Sequence, residues 1–327
     1  MEYKPPYEVT EEMLGLVLEI AEAMGRISNL DDLDKFPRLR RAGRIRSIQS
    51  SLAIENNTLT YEQVGAILDG KKVLGPPNEI LEAENAIAAY KEIENVNPSE
   101  LKDLLKIHGV MMKNLLSDAG RLRCRNVGIF NEEGGVVHMA PPYERVHALM
   151  TDLFDWLKTS KVHALIKSSI FHYEFEFIHP FPDGNGRMGR IWQTVILSEW
   201  KPVFLWIPVE GIIKDRQQAY YEAIAESTKS GTCNPFILFM LRAILQAIMD
   251  IANGVRDHIK HMDSRVRSLL EVLSDFKLTA SEIMGKLGLK SRNSFRDNYL
   301  NPALDGKFIG LTEPNKPTSK NQKYYKL

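Results

Sequence analysis

The chain has 327 residues, 42 Lys+Arg against 42 Asp+Glu, and 44% hydrophobic residues. At ~100–200 residues per domain, this length predicts about two domains and ample chain for a buried core. The composition excludes a disordered, collagen-like or disulfide-scaffold protein, and zero net charge argues against a nucleic-acid coat along the whole chain.

Cys124 and Cys233 have no CxxC spacing, so they read as two reduced thiols of a cytoplasmic protein. The start, Met1–Pro6, has no apolar run of the kind a signal peptide needs. The most apolar stretch, 236–252, contains Arg242 and is followed by other polar positions. It reads as a buried core helix, and no membrane partner is expected.

The first helix opens at Thr10 and places Leu14, Val17, Leu18, Ala21 and Met24 on one face. A second covers about 40–57, with Ile45, Ile48 and Leu52 at helical spacing, until Asn56-Asn57 breaks it. Thr60 and Gln63 form a capping box for a third. Helical patterns resume at 80–90 and 101–115. Two short apolar runs, 127–130 and 136–139, flank a Gly-containing turn and predict a β-hairpin. Helices are then expected at 143–157, 162–177, 188–200, 211–228 and 236–262.

From Lys277 onward there are 10 Lys+Arg and 4 Asp+Glu. A capping box at Thr279 and Glu282, a Gly288 turn, a helix over 291–299 and strands at 308–311 and 322–325 predict a winged helix-turn-helix. The fold class is therefore mainly α: an N-terminal helical region over 1–100, a helical core over 101–257 with its hairpin, and a small winged module over 266–327.

The densest constellation is His179-Pro180-Phe181-Pro182-Asp183-Gly184-Asn185-Gly186-Arg187-Met188-Gly189-Arg190. A helix ends at His179 and another begins near Arg187. Gly184 and Gly186 let backbone N–H groups converge without Cβ obstruction. The next helix adds its own unpaired N–H groups and partial positive charge, which makes an anion cradle suited to phosphates. Arg187 and Arg190 lie i, i+3 on its first turn, where two cations oppose the helix dipole unless an anion is bound. Asp183 is a hard oxygen ligand suited to Mg²⁺, and His179 is placed to act as a general base on a hydroxyl.

This stretch resembles the signature of the Fic (filamentation induced by cAMP) family, HxFx(D/E)GNGRxxR, at every specified position. The resemblance extends over about residues 40–245 and includes Gly120-Arg121-Leu122-Arg123 ahead of the hairpin. It implies a Fic-type helical bundle and transfer of AMP from ATP to a Ser, Thr or Tyr hydroxyl of a target protein. By position it implies His179 as the base, Phe181 as the loop anchor and Asp183 as the Mg²⁺ ligand. Gly184, Asn185 and Gly186 would form the phosphate nest, with Arg187 and Arg190 on the β- and γ-phosphates. The hairpin is similar to the family's flap, with Val137, His138 and Met139 pairing with target backbone. Adenine contacts are expected from the flap base and from Tyr220-Tyr221.

Ser51-Leu52-Ala53-Ile54-Glu55-Asn56 resembles the family's inhibitory motif, (S/T)xxxE(G/N). The resemblance implies that Glu55 pairs with Arg190 and denies it to the γ-phosphate, while Ser51, one turn earlier, buttresses the helix. The same glutamate in some relatives removes AMP from the modified target, so deAMPylation is the alternative within the enzyme class. A nucleotide-sensing transcriptional regulator is the alternative outside it. Lys290, Arg292, Arg296, Lys316, Lys320 and Lys323 would face duplex DNA in that case. A homodimer is expected by the same resemblance.

Overall fold

The computed structural model describes residues 3–28, 37–130, 136–261, 264–274, 276–305, 308–314, 316, 319 and 321–326. For 26–28, 37–38, 129–130, 136–138 and 254–261 only the backbone is described. The expected hairpin turn, 131–135, and Lys320 lie outside the described residues. The chain divides into two compact units, Met1–Gly25 with Arg41–Asp250, and Arg26–Arg40 with Ile251–Leu327.

The first unit is helical. The elements lying wholly or mainly in it are α1 (Glu11–Ser28), α2 (Pro37–Ile54), α3 (Tyr61–Leu68), α4 (Pro77–Glu92) and α5 (Leu101–Met111), then the strands β1 (Gly128–Phe130) and β2 (Val136–Met139). There follow α6 (Tyr143–Thr159), α7 (Ala164–Ile178), α8 (Asn185–Trp200), α9 (Val209–Asp215), α10 (Gln217–Ser230) and α11 (Asn234–His261). The hairpin of α7 and α8 is the centre. Nearly every residue of α7 is buried, including Ser168, Ser169 and His172, as expected for a core helix packed on all sides. Phe171, Trp192 and Phe154 pack edge-on or tilted between α6, α7 and α8.

Local signals set several boundaries. Thr10 Oγ1 accepts from the Met13 N–H at 3.2 Å. Thr60 and Gln63 make the reciprocal capping box at α3. Asn56, at φ 65°, takes the left-handed turn that ends α2. α11 has a stretch, Asn234–Asn253, long and apolar enough to cross a membrane. Phe236, Ile237, Met240, Leu241, Ile244 and Ile248 of that stretch are buried in the core of the unit.

Some expectations change. α1 buries Met13, Ile20 and Met24, while Leu14 and Leu18 face solvent at 51% and 70% exposure. Two adjacent apolar stripes compete on this helix, and the one through Met13 wins. α5 stops at Met111, with Asn114 at φ 60° in the turn beyond it. The helix expected over 211–228 is two, separated at Arg216 (φ −122°, ψ 35°).

The second unit contains α12 (Ser264–Leu273), β3 (Leu278–Thr279), α13 (Ala280–Leu287), α14 (Arg292–Phe295), α15 (Asn301–Asp305), β4 (Ile309–Leu311) and β5 (Lys323–Lys326). A π-turn at Arg296–Leu300 joins α14 to α15, so the second helical segment runs longer than expected. The strands form an antiparallel sheet in the order β3-β5-β4. Leu269, Leu273, Ile283, Phe295, Ala303 and Ile309 fill its core. Thr279 and Glu282 make the expected capping box, and Gly288 caps α13 at φ 68°. α11 runs to His261, close to the expected end of the helix over 236–262.

Candidate active site

Pro180 disfavours helical geometry at the residue before it, so α7 ends at Ile178. His179 takes the left-handed conformation (φ 50°, ψ 60°), unusual outside glycine, which turns its side chain out of the helix. Its N–H donates to the Phe175 carbonyl at 2.9 Å. Its carbonyl accepts from Arg123 Nε at 2.8 Å. Arg123, only 4% exposed, also donates to the carbonyls of Ile178, Pro141 and Arg125. The Arg123 N–H donates to the Pro180 carbonyl at 2.9 Å. One guanidinium thus fixes both the end of α7 and the chain leaving β2.

The loop itself is stapled from inside. Asn185 Oδ1 accepts from the Phe181 N–H and Asn185 Nδ2 donates to the Phe181 carbonyl, both at 2.9 Å. Phe181 is fully buried and stacks flat on His108, with ring centroids 3.6 Å apart and 3° between planes. His108 Nδ1 accepts from the Gly120 N–H at 2.8 Å, which leaves the proton on Nε2, 3.1 Å from the Asp183 carbonyl. Burial holds the His108 pKa down at about 4, so the ring stays neutral. Gly184 sits at φ 84°, and a Cβ there would lie 2.8 Å from Met112 Sδ. No side chain caps the start of α8. Its first N–H groups therefore keep their capacity for an anion.

Both arginines of α8 are buried and face carboxylates. Arg190 Nη2 lies 2.7 Å from Glu55 Oε1. Arg190 also donates from Nε to Ser51 Oγ at 3.1 Å and from Nη2 to the Ser51 carbonyl at 3.0 Å. Burial alone would lower the Arg190 pKa, but the fields of Glu55 and Glu176 outweigh it and keep the guanidinium charged. Arg187 lies between Glu82, at 3.5 Å, and Asp183, at 3.6 Å. Its buried Nε has no hydrogen-bond partner. Gly186 completes the cradle: a Cβ there would meet Glu55 Oε1 at 2.4 Å.

This architecture has a near match over its whole length. A crystal structure of a Fic family protein from Desulfovibrio desulfuricans G20 is 48% identical, covers 99% of this chain and 98% of that one, and superposes with a TM-score of 0.77. The chain belongs to the Fic family. The Fic/DOC family model matches residues 98–197, and the model for the Fic-like C-terminal domain matches 264–327. The protein adenylyltransferase Fic of Nematostella vectensis is 28% identical over 62% of this chain and 47% of its own length. The protein adenylyltransferase fic-1 of Caenorhabditis elegans is 30% identical over 60% of this chain and 38% of its own. The chain spans less than half the length of these curated relatives.

The structure brings the Fic loop, both arginines and the Ser51–Glu55 turn together. Ser51 binds Arg190 directly rather than merely supporting its own helix. Asn185 spends its side chain on the loop, which leaves its backbone for the nest. Among the described residues, no three His, Cys, Asp or Glu side chains converge as metal ligands. Asp183 is a lone carboxylate with 64% side-chain exposure beside the α8 N-terminus. That fits a Mg²⁺ whose other ligands are water and phosphate. β1 and β2 pair antiparallel, Gly128 opposite Met139 and Ile129 opposite His138, with a bulge before Phe130. Met139 is 62% exposed, and the side chains of Val137 and His138 lie outside the description. Tyr220 does not fit the expected adenine contact. It is 1% exposed, packs on Phe236 and shares a hydrogen bond with His172, while its neighbour Tyr221 is exposed.

Three residues of the site escaped sequence reading. His108 sat in a helix read only for its apolar face, Arg123 belonged to the Gly120–Arg123 stretch of the resemblance but was given no role, and Glu82 sat on α4 with no local signal. Glu82 Oε2 also accepts from Asn57 Nδ2 at 2.8 Å, which ties the turn after α2 to the partner of Arg187.

Proposed function

We propose that this chain transfers AMP from ATP to a hydroxyl of a protein, with Glu55 holding the reaction in check. The observation that carries the reading is the α8 N-terminus: an uncapped helix start whose first two turns present two buried arginines, preceded by a half-buried histidine turned out of α7. Its relatives named protein adenylyltransferase support the same reading.

The polyphosphate would lie across the N–H groups at the start of α8, with Arg187 and Arg190 on its outer phosphates. Asp183 would hold Mg²⁺, which supplies charge neutralisation on the phosphate oxygens when bound. The target hydroxyl, presented along the β1–β2 edge, would give its proton to His179. Its oxygen would bond to the α-phosphorus while the bond to the bridging oxygen breaks and pyrophosphate leaves. Arg123 would keep His179 at the right height by holding its carbonyl.

Glu55 occupies the guanidinium that the terminal phosphate would use. An exposed pair of this kind is worth little, but one that leaves an almost fully buried arginine unpaired is costly to break. The test separates the two ends of ATP. Label at the α-phosphate is expected on protein with release of pyrophosphate, and label at the γ-phosphate is expected to stay in solution. Transfer of γ-label would overturn the reading in favour of a kinase-like reaction.

A further inference from the structure

We infer that the segment Trp206–Gln217 is the seat of the proposed brake, and that Glu210 is the positioning residue that locks helix α2 into it. This rests on the proposed restraint by Glu55 and names what holds that glutamate in place.

The two stretches run side by side in the same direction. At one end Gly43 meets Trp206 so closely that a Cβ would lie 2.1 Å from the Trp206 carbonyl oxygen. Arg44 lies over the Trp206 ring at 4.4 Å. In the middle, Ser47 Oγ donates to Glu210 Oε2 at 2.7 Å, and Lys214 Nζ donates to Gln49 Oε1 at 3.4 Å. At the other end Gln217 Nε2 donates to the Ile54 carbonyl at 3.1 Å, next to Glu55. The stretches keep the same direction throughout: the Ser47–Glu210 and Ile54–Gln217 bonds both join residues 163 apart, and Gln49–Lys214 between them joins residues 165 apart.

The face that α2 offers this core is only half apolar. Ile45, Ile48 and Leu52 are buried there, but so are Ser47, Ser50 and Ser51. Serine contributes little hydrophobic stabilisation, so hydrogen bonds must carry a large share of the docking. Glu210 is central to that share. It is 1% exposed, and its oxygens also accept from Tyr90 Oη at 2.9 Å and Thr194 Oγ1 at 3.3 Å. A buried carboxylate held by hydroxyls from α2, α4 and α8 is undersatisfied as soon as α2 leaves. Seating and unseating are therefore two distinct states rather than a continuum.

The test uses two substitutions at residues that bond neither Glu55 nor Arg190, Gly43→Ala and Ser47→Ala, each with Glu55 intact and in Glu55→Gly. Gly43 lies 12 residues before Glu55, about 18 Å along a helix. Amide hydrogen exchange over residues 44–55 and transfer of α-labelled AMP are measured together. With Glu55 present, Ser47→Ala is expected to raise both by about tenfold, the factor set by one lost bond to a carboxylate. Gly43→Ala is expected to raise them further, with labelling approaching that of Glu55→Gly. In Glu55→Gly neither change raises labelling, whereas damage to the fold would lower it in both backgrounds. Unchanged exchange over 44–55 in both variants would overturn the seat, as would an equal gain of labelling in Glu55→Gly. Faster exchange with no labelling by Glu55→Gly itself would support the seat and overturn AMP transfer instead.

Discussion

Arg190 turns Nη2 toward two oxygens of one turn of chain, Glu55 Oε1 at 2.7 Å and the Ser51 carbonyl at 3.0 Å. The guanidinium is therefore both charge-paired and hydrogen-bonded by the segment that ends α2, and its Nε is bonded there too. An anion that needs Nη2 must displace Glu55.

Arg123 gives a prediction about rate rather than affinity. Lysine can keep the charge but cannot reach several carbonyls in a plane. Arg123→Lys in the Glu55→Gly background is expected to lower kcat about tenfold, because His179 loses its fixed height. KM for ATP should change less than about twofold. Steady-state transfer of α-label checks both, and a KM effect without a kcat effect would contradict the assignment.

Asn185 closes the loop through two bonds to Phe181. Asn185→Ala would leave a buried N–H and a buried carbonyl without those partners, at a cost of about 2–4 kcal/mol. Denaturant unfolding should show that loss. The variant's transfer rate should fall as well, since Phe181 leads directly into Asp183 and Gly184.

His108 predicts a pH dependence of stability. The folded protein keeps this ring neutral down to about pH 4, because burial disfavours its charged form. An unfolded chain takes up the proton near pH 6.5. The unfolded state thus binds more protons between these values. The contribution of this group is complete above about pH 6.5 and is lost as the pH falls toward 4, on the order of 3 kcal/mol in all. His108→Asn keeps an acceptor for the Gly120 N–H but cannot titrate. Its stability should decline less steeply across that window, by a slope of about one proton. An identical slope would refute the assignment.

What the sequence made legible was local. The loop from His179 to Arg190 declares itself because Pro180, the two glycines and Asn185 all act within a few residues of where they stand. The capping boxes at Thr60 and Thr279 are read the same way, from side chains that bond three residues on. The Glu55–Arg190 pair was anticipated through a motif, not through geometry. What stayed hidden depends on partners far along the chain. Glu82 meets Arg187, and Glu210 meets Ser47, only after folding. α1 misled because its Leu14 and Leu18 stripe is as apolar as the Met13 and Ile20 stripe that is actually buried. Tyr220 misled because its partners lie far along the chain: its hydroxyl bonds His172 and its ring packs on Phe236 in the core.

The most direct measurement of the central claim is transfer of label from α-labelled ATP by the wild type, Glu55→Gly and Glu55→Gly/His179→Ala. The account predicts weak transfer by the wild type, at least tenfold more by Glu55→Gly, the equivalent of losing one charge-assisted contact to Arg190, and a return to background in the double variant. Equal transfer by the wild type and Glu55→Gly, with ATP bound by both, would contradict the restraint. Persistent transfer without His179 would contradict its role as the base.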